Sequence, residues 1–383
     1  MNSVCSAVAR YILFGKCLDR LGHHALSSDT PRHPWTLMTT DFPQHPDQLT
    51  NEWLTEILGT PVSNFNIAFF SEGTGVMSWV MRLNIETPDG EPNSLIAKFP
   101  SPSEVNRDGA NLYDMYEKEV KFYQRYAKDL AVEAPHCYFS AFDPETKGFV
   151  VLLEDLVEWE IGDQIKGCNL EEAKAVIRAL ARFHASGWQA EGFKDLPSHG
   201  GQQQIDGMTA TYPIGWPVVL EQFGEEIPES IRLAAAQIPA HIADLLATMC
   251  QPPVCVTHAD MRLDNIFFKD GGVTIVDWQS ICTSAPEQDL AYFLTQSVPE
   301  AVRGQEDLVA FYHAELTQHG IDYDLDQCRQ RYVVCALYLI CYAVVIAGTL
   351  DLGNERGRML GETIVKNTFR ALLELDAFSL IRS

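Results

Sequence analysis

Positive charge is scarce in this chain: 28 Lys and Arg stand against 52 Asp and Glu, a formal net charge of −24. A surface of that sign repels phosphate backbones and anionic lipid, which argues against non-specific nucleic-acid binding and against docking on a membrane face. Its ordinary meaning is a solvated acidic surface that keeps a protein soluble. Paired cysteines are lacking too. None of the ten Cys belongs to a Cys-x-x-Cys pair, and the closest spacings are Cys250 to Cys255 and Cys335 to Cys341. Metal frameworks and disulfide scaffolds are therefore disfavoured, and a reducing cytoplasm fits best. Long apolar runs are nearly absent. Residues 333–350 carry no charge and just reach the length of a membrane span. Their Tyr, Cys, Gly and Thr residues read better as a buried central helix, with no membrane insertion. Near the N-terminus Arg10 and Lys16 break the apolar runs. No small-residue cleavage site follows a clean apolar core there, so a secretory signal is not expected. Internal repeats and low-complexity tracts are missing as well, which removes repeat arrays from consideration.

What is present suits a two-lobed globular protein. The 383 residues, at ~150 per domain, allow two or three folding units or one large two-lobed one. With 46% hydrophobic and 21% charged residues, the chain can bury a sizeable core without staples. Residues 1–37 show little periodicity and read as an N-terminal extension. Residues 49–58 (LTNEWLTEIL) read as a short amphipathic helix capped by Thr50. Residues 65–70, 76–85 and 94–99 are β-rich and separated by Gly- and Pro-bearing turns. Helical periodicity covers 111–130, and a short apolar strand covers 149–153. Over 170–188, Ala173, Ile177, Leu180 and Phe183 share one helical stripe. Helices dominate from there on, interrupted by a strand–loop–strand island at 254–277. The expectation is an α+β chain, with a small β-rich front lobe over 38–155 and a larger, mainly helical back lobe over 156–383.

The chemistry sits in that island. His258-Ala259-Asp260-Met261-Arg262-Leu263-Asp264-Asn265 follows the apolar run Val254-Cys255-Val256, and Asp277 ends the strand after the Gly271-Gly272 turn. An Asp where a strand gives way to a loop, an Asn shortly after it, and an Asp ending the next strand can converge on one point. Asn265 and Asp277 offer the oxygen ligands that Mg²⁺ takes. Asp260 can accept a proton from an alcohol. Together these are the parts for phosphoryl transfer, in which a metal neutralises phosphate charge and a carboxylate orients the nucleophile.

This segment resembles the catalytic and metal-binding loops of the aminoglycoside phosphotransferase and choline kinase superfamily, which shares its core fold with protein kinases. The resemblance implies a two-lobed protein-kinase-like fold and a role for each residue. Asp260 would be the catalytic base, Asn265 and Asp277 the metal ligands, and Asp289 the brace of the catalytic loop. Arg262, two residues after the base, would lie near the γ-phosphate. Ala259 departs from the family's usual Gly, at little cost unless the backbone there needs a positive φ. The front lobe carries the remaining elements of such a fold in the right order. Ser71-Glu72-Gly73-Thr74-Gly75-Val76 is a turn in which Gly73, Thr74 and Gly75 would let backbone N–H groups approach phosphate oxygens. On its own it is a weak signal, since a two-Gly hairpin turn is its commoner meaning. Lys98 lies within the strand-like Leu95-Ile96-Ala97-Lys98-Phe99. Glu119 follows in Lys118-Glu119-Val120-Lys121-Phe122-Tyr123, with Glu117 as the competing choice. Leu152-Leu153-Glu154-Asp155-Leu156 resembles the hinge that reads adenine, with Glu154 and Leu156 supplying backbone groups. Within the superfamily the motif style is nearest to ecdysteroid-kinase-like and related bacterial phosphotransferases.

The resulting expectation is ATP- and Mg²⁺-dependent phosphorylation of a hydroxyl on a small-molecule acceptor. A catalytically silent nucleotide-binding scaffold is the alternative, opposed by the joint presence of Lys98, Asp260, Asn265 and Asp277. A protein kinase is disfavoured because Asp289 follows Asp277 by only twelve residues, which leaves little room for a long activation loop. Residues 187–229, punctuated by Gly and Pro, carry Trp188, Phe193, Tyr212, Trp216 and Phe223. They read as a loop-rich insertion whose aromatics either pack it down or wall a pocket for a bulky, partly apolar alcohol. With no basic cluster there, a neutral or cationic acceptor is expected, shielded from water by Trp188 and Trp216. His184 reads as a packed structural histidine.

Overall fold

The computed structural model describes residues 42–70, 77–350 and 355–381, so the 1–37 extension and the Gly73-Thr74-Gly75 turn lie outside the described residues. Helix α1 (Asn51–Leu58) forms where expected. Thr50 Oγ1 accepts from the Trp53 N–H at 3.1 Å, and Gly59 ends the helix in left-handed backbone. The front lobe is one antiparallel sheet of strands β1 (Asn64–Phe69), β2 (Ser78–Glu86), β3 (Ser94–Pro100), β4 (Cys137–Phe142) and β5 (Phe149–Glu154), in the order β1-β2-β3-β5-β4. Between β3 and β4 run α2 (Glu104–Leu112) and α3 (Met115–Lys121), the latter continuing into a wider π turn at Phe122–Tyr126. The helical stretch thus begins earlier than its periodicity suggested. Strand β4 had no clear sequence signal, and its pairing with β5 shifts register between Cys137 and Phe139.

Alternation along the strands decides what faces the site. Leu95, Ala97 and Phe99 of β3 join Val150 and Leu152 of β5 on the face covered by α1. The intervening positions, Phe149, Val151 and Leu153, pack on Tyr116 and Val120 of α3. Lys98 falls on this second face by the same period of two.

The back lobe contains β6 (Glu160–Ile161), α4 (Leu170–Ser186), α5 (Gln202–Phe223), α6 (Glu229–Ala235), α7 (Ile238–Met249), β7 (Cys255–Thr257), β8 (Ile266–Lys269) and β9 (Gly272–Ile275). After these come β10 (Cys282–Ser284), α8 (Glu287–Gln296), α9 (Glu300–Arg303), α10 (Leu308–Gln318), α11 (Leu325–Tyr338), α12 (Ile340–Thr349) and α13 (Glu355–Glu374). Helix α4 buries the expected stripe of Ala173, Ile177, Leu180 and Phe183. The 187–229 stretch is not loop-rich, because α5 runs for 22 residues straight through Pro213 and Pro217. Each proline removes a backbone donor, which is why the stretch reads as broken. Burial of Met208, Tyr212, Trp216 and Val219 on one face outweighs that loss. The uncharged run is interior. Leu325–Thr349 is long and apolar enough to cross a membrane, but 61% of its most apolar window is buried within the protein, and it divides into α11 and α12 at Leu339.

Candidate active site

Two local devices bring the polar residues together. The first is a carboxylate that grips the loop leaving β7. Asp289, in the first turn of α8, accepts from the His258 N–H at 2.7 Å and from the Ala259 N–H at 2.8 Å. His184 of α4 supports it, with Nε2 3.1 Å from Asp289 and Nδ1 2.7 Å from the Tyr312 hydroxyl. Burial pushes the Asp289 carboxyl up, but the His184 contact and the loop N–H groups outweigh it and hold the group below its ordinary range. Held this way, Ala259 adopts φ 64°, in the left-handed region. The condition under which a non-glycine residue is costly is therefore met.

The second device is the β8–β9 hairpin. Ile266 pairs with Ile275, and the Val276 N–H donates to the Asn265 carbonyl at 3.0 Å. Asn265 and Asp277 therefore flank the open end of one hairpin. Asn265 Nδ2 donates to the Asp260 carbonyl at 3.0 Å and to its Oδ2 at 3.1 Å, which leaves the amide oxygen as an acceptor. Arg262 Nε lies 3.5 Å from Asp260 Oδ1, and the Tyr292 hydroxyl hydrogen-bonds the same carboxylate.

The front lobe delivers one cation to this point. Lys98 Nζ lies 2.6 Å from Glu119 Oε1 and 2.7 Å from Asp277 Oδ1. The Glu119 side chain is 0% exposed and that of Lys98 7%. Glu117 pairs instead with Lys121 at 2.7 Å on the same helix, so Glu119 is the acid that meets the lysine. Burial alone would lower the Lys98 pKa, but Asp277 and Glu119 together raise it above its ordinary value. Glu119 is pushed up to about 7, by burial first and by Asp277 after that, against the pull of Lys98. At Asp277 burial pushes up, and the Lys98 ammonium wins, so this carboxyl lies low. One ammonium thus serves two carboxylates, of which the fully buried Glu119 holds a proton more readily. Just beyond Asp277, Trp278 stacks on Phe122 with ring centroids 3.9 Å apart and planes 5° from parallel. Its edge contacts reach Phe183 and His258.

At the hinge, the Glu154 carboxylate accepts from the His136 N–H at 3.1 Å, and Leu156 is buried. Between them Asp155 is gripped from two directions by Arg82 of β2, Nε to Oδ2 at 2.5 Å and Nη2 to Oδ1 at 3.0 Å. Sequence reasoning missed Arg82, whose only signal is a charge inside an otherwise apolar strand. It also missed Tyr292, one turn after Asp289 on α8. Trp188 and Trp216 are not brought to Asp260. Trp216 lies between Tyr212 and Phe369 at 6.1 and 6.0 Å, and Trp188 packs on Tyr323 at 5.6 Å. Both pack within the helical lobe, Trp216 on the aromatic face that α5 presents to its neighbouring helices.

Among the described residues no group of three or more His, Cys, Asp and Glu gathers to hold a metal. One carboxylate and one amide oxygen are nonetheless what Mg²⁺ uses when phosphates and water complete its shell, so the residues fit that ion.

The fold and the residues it gathers define a class: a small-molecule phosphotransferase of protein-kinase-like architecture. The sequence pattern of the ecdysteroid kinase-like family matches residues 72–323, and the chain belongs to that family. Among solved structures, it is similar to the GDP and kanamycin complex of APH(2")-IIIa at 15% identity, over 86% of this chain and 99% of that one, with a TM-score of 0.50. A mutant aminoglycoside 2'-phosphotransferase-IIIa bound to GDP gives 14% identity over 86% and 99%, also at 0.50. Plasmodium vivax ethanolamine kinase gives 11% identity over 80% and 83%, at 0.46. At identities this low the likeness to the two aminoglycoside phosphotransferase structures is one of fold. No curated sequence matches the chain.

Proposed function

We propose that this protein transfers the terminal phosphoryl group of ATP to a hydroxyl of a small molecule, with Mg²⁺. The observation that carries this reading is the Lys98 bridge to Glu119 and Asp277, set beside Asp260 and Asn265. An ammonium fixed between lobes suits the α- and β-phosphates, and Glu119 keeps it aimed. Asp260 takes the hydroxyl proton as the acceptor oxygen bonds to the γ-phosphorus. The bond from that phosphorus to the β–γ bridging oxygen breaks, and ADP leaves with the electron pair. Asn265 and Asp277 would hold Mg²⁺, which supplies charge neutralisation on the phosphates when bound. Arg262, 3.5 Å from Asp260, serves the transferred group, and backbone groups at Glu154 and Leu156 serve the base. The Gly73-Thr74-Gly75 turn would cover the phosphates. Nucleotides named with the similar structures support a nucleotide donor. A silent scaffold would need neither a proton acceptor beside the bridge nor donors that hold it in place.

Asp260→Asn tests the assignment. Turnover of ATP against a library of hydroxyl compounds should fall at least ~100-fold, the usual effect of removing a general base, while calorimetric Mg-ATP affinity stays as in the parent. Parental turnover in the variant would overturn it.

A further inference from the structure

The catalytic loop contains a carboxylate that the proposed chemistry does not use. Asp264 stands one residue before Asn265, yet among the described residues it does not gather with Asp260 and Asp277 into a metal-holding group. It is engaged elsewhere. Its Oδ1 accepts from the Gln164 N–H at 3.1 Å and lies 3.3 Å from Nη2 of Arg356, in the first turn of α13. The same guanidinium reaches Asp163 Oδ2 through Nη1 at 3.5 Å. Asp163 Oδ1 accepts from the N–H groups of Ile165 and Lys166, at 3.0 and 3.3 Å, and so winds 163–166 into a turn that offers the Gln164 N–H to the loop.

That turn ends a strap which begins at the hinge. Past Leu156 the chain pairs with β8 as β6, Glu160 opposite Phe268 and Ile161 opposite Phe267. The Gly162 N–H donates to the Ile266 carbonyl at 2.8 Å. Gly162 backs onto the loop so closely that a Cβ there would stand 2.5 Å from the Leu263 carbonyl oxygen. From another side Ser297, just past α8, accepts from the Leu263 N–H at 3.1 Å, and Gln164 Nε2 donates to the Gln296 carbonyl at 3.4 Å. Leu263–Asn265 is a single 3-10 turn, too short to hold its own shape. Its geometry is therefore set by these outside partners, and the strongest of them is an N–H given to a carboxylate.

We propose that Asp264 is a positioning residue: it ties the strap to the turn from which Asn265 presents its amide oxygen, and it acts through the Gln164 N–H more than through Arg356. This rests on the phosphotransferase reading and deepens it, since the run of chain that leaves the hinge would then also set the metal site. The two partners of Asp264 differ in what they can contribute. Gln164 is buried, so its N–H has no water to replace the carboxylate. The Arg356 side chain is 54% exposed, and an ion pair that open to solvent is worth little.

Calorimetric titrations of ATP, in Mg²⁺ and in EDTA, test it. Asp264→Ala should weaken the Mg²⁺-dependent part of ATP affinity by roughly 10- to 100-fold, as loss of a ligand's supporting partner does, and leave the affinity in EDTA as in the parent. Asp264→Asn keeps an oxygen for the Gln164 N–H and should lose only about 2-fold, the size of an exposed ion pair. Arg356→Met should lose as little, and combining it with Asp264→Asn should add nothing. Gly162→Ala, which leaves the carboxylate in place but forces the strap off Leu263, should reproduce the loss of Asp264→Ala. Thermal melting checks that each variant is folded. Equal losses in Asp264→Asn and Asp264→Ala would make Asp264 a ligand itself and overturn the positioning role, as would parental Mg²⁺ dependence in Asp264→Ala or Gly162→Ala. A parent that follows this order of variants, yet phosphorylates nothing in a library of hydroxyl compounds, keeps Asp264 in its role and overturns phosphoryl transfer. A parent whose ATP affinity ignores Mg²⁺ overturns the metal site and Asp264 together.

Discussion

A single methyl group sits at the tightest corner of the catalytic loop. Ala259 has φ 64° because both it and His258 are tied to Asp289, 30 residues along the chain from Ala259. Left-handed backbone costs an L-residue roughly 1–2 kcal/mol, and a glycine there would give back about half of that through its freer unfolded chain. Ala259→Gly should therefore stabilise the protein by about 0.5–1 kcal/mol, raising Tm by ~1–3 °C. A lower melting temperature would mean that the methyl group fills space which matters more than its dihedral. The departure from Gly was plain in the sequence. Its sign was not, since φ is imposed by a carboxylate distant in the chain. The same holds across the site. Asp260, Asn265, Asp277, Lys98 and Glu119 were legible because residue type and order pointed to them. Tyr292 was not, because a tyrosine on a helix looks the same whether it meets water or a catalytic loop.

Between elements, the connection least visible beforehand is the grip of β2 on the hinge. Arg82 meets Asp155 through two nitrogens, and the Asp155 side chain is only 4% exposed. Such a fork fixes orientation as well as distance, and a lysine cannot reproduce it. Arg82 is thus a positioning residue for the chain that the proposed function sets against the base of the nucleotide. Arg82→Lys should raise the KM for ATP by about 3- to 10-fold, in keeping with the ~0.6–1.4 kcal/mol of one lost hydrogen bond, with kcat held. A fall in kcat at constant KM would place its effect in the chemical step instead. Elements with clean periodicity, such as α1, α4 and the strands around Lys98, were readable from their apolar spacing. Helix α5 was not. Its two prolines obey local rules for ending a helix, and only the packed aromatic face overrides them.

For the molecule as a whole, the order of motifs along the chain disclosed two lobes, but the parts that join them were hidden. Lys98 and Asp277 are 179 residues apart. Removing Asp277 should act on both lobes at once. In Asp277→Ala, the portion of ATP affinity that depends on Mg²⁺ should vanish, because the carboxylate ligand is gone and Mg²⁺ sheds water reluctantly. Titrations with and without the ion should then coincide; a persisting difference would put the ion elsewhere. Phe122 follows α3, less than one turn beyond Glu119, and its ring lies flat on Trp278. Trp278 in turn abuts Phe183 and His258. Helix α3 cannot swing outward and strip Lys98 of its carboxylate without tearing that aromatic stack from the middle of the protein. An enzyme built this way has no easy off position. A switch thrown at this helix would first have to unstack Phe122 from Trp278.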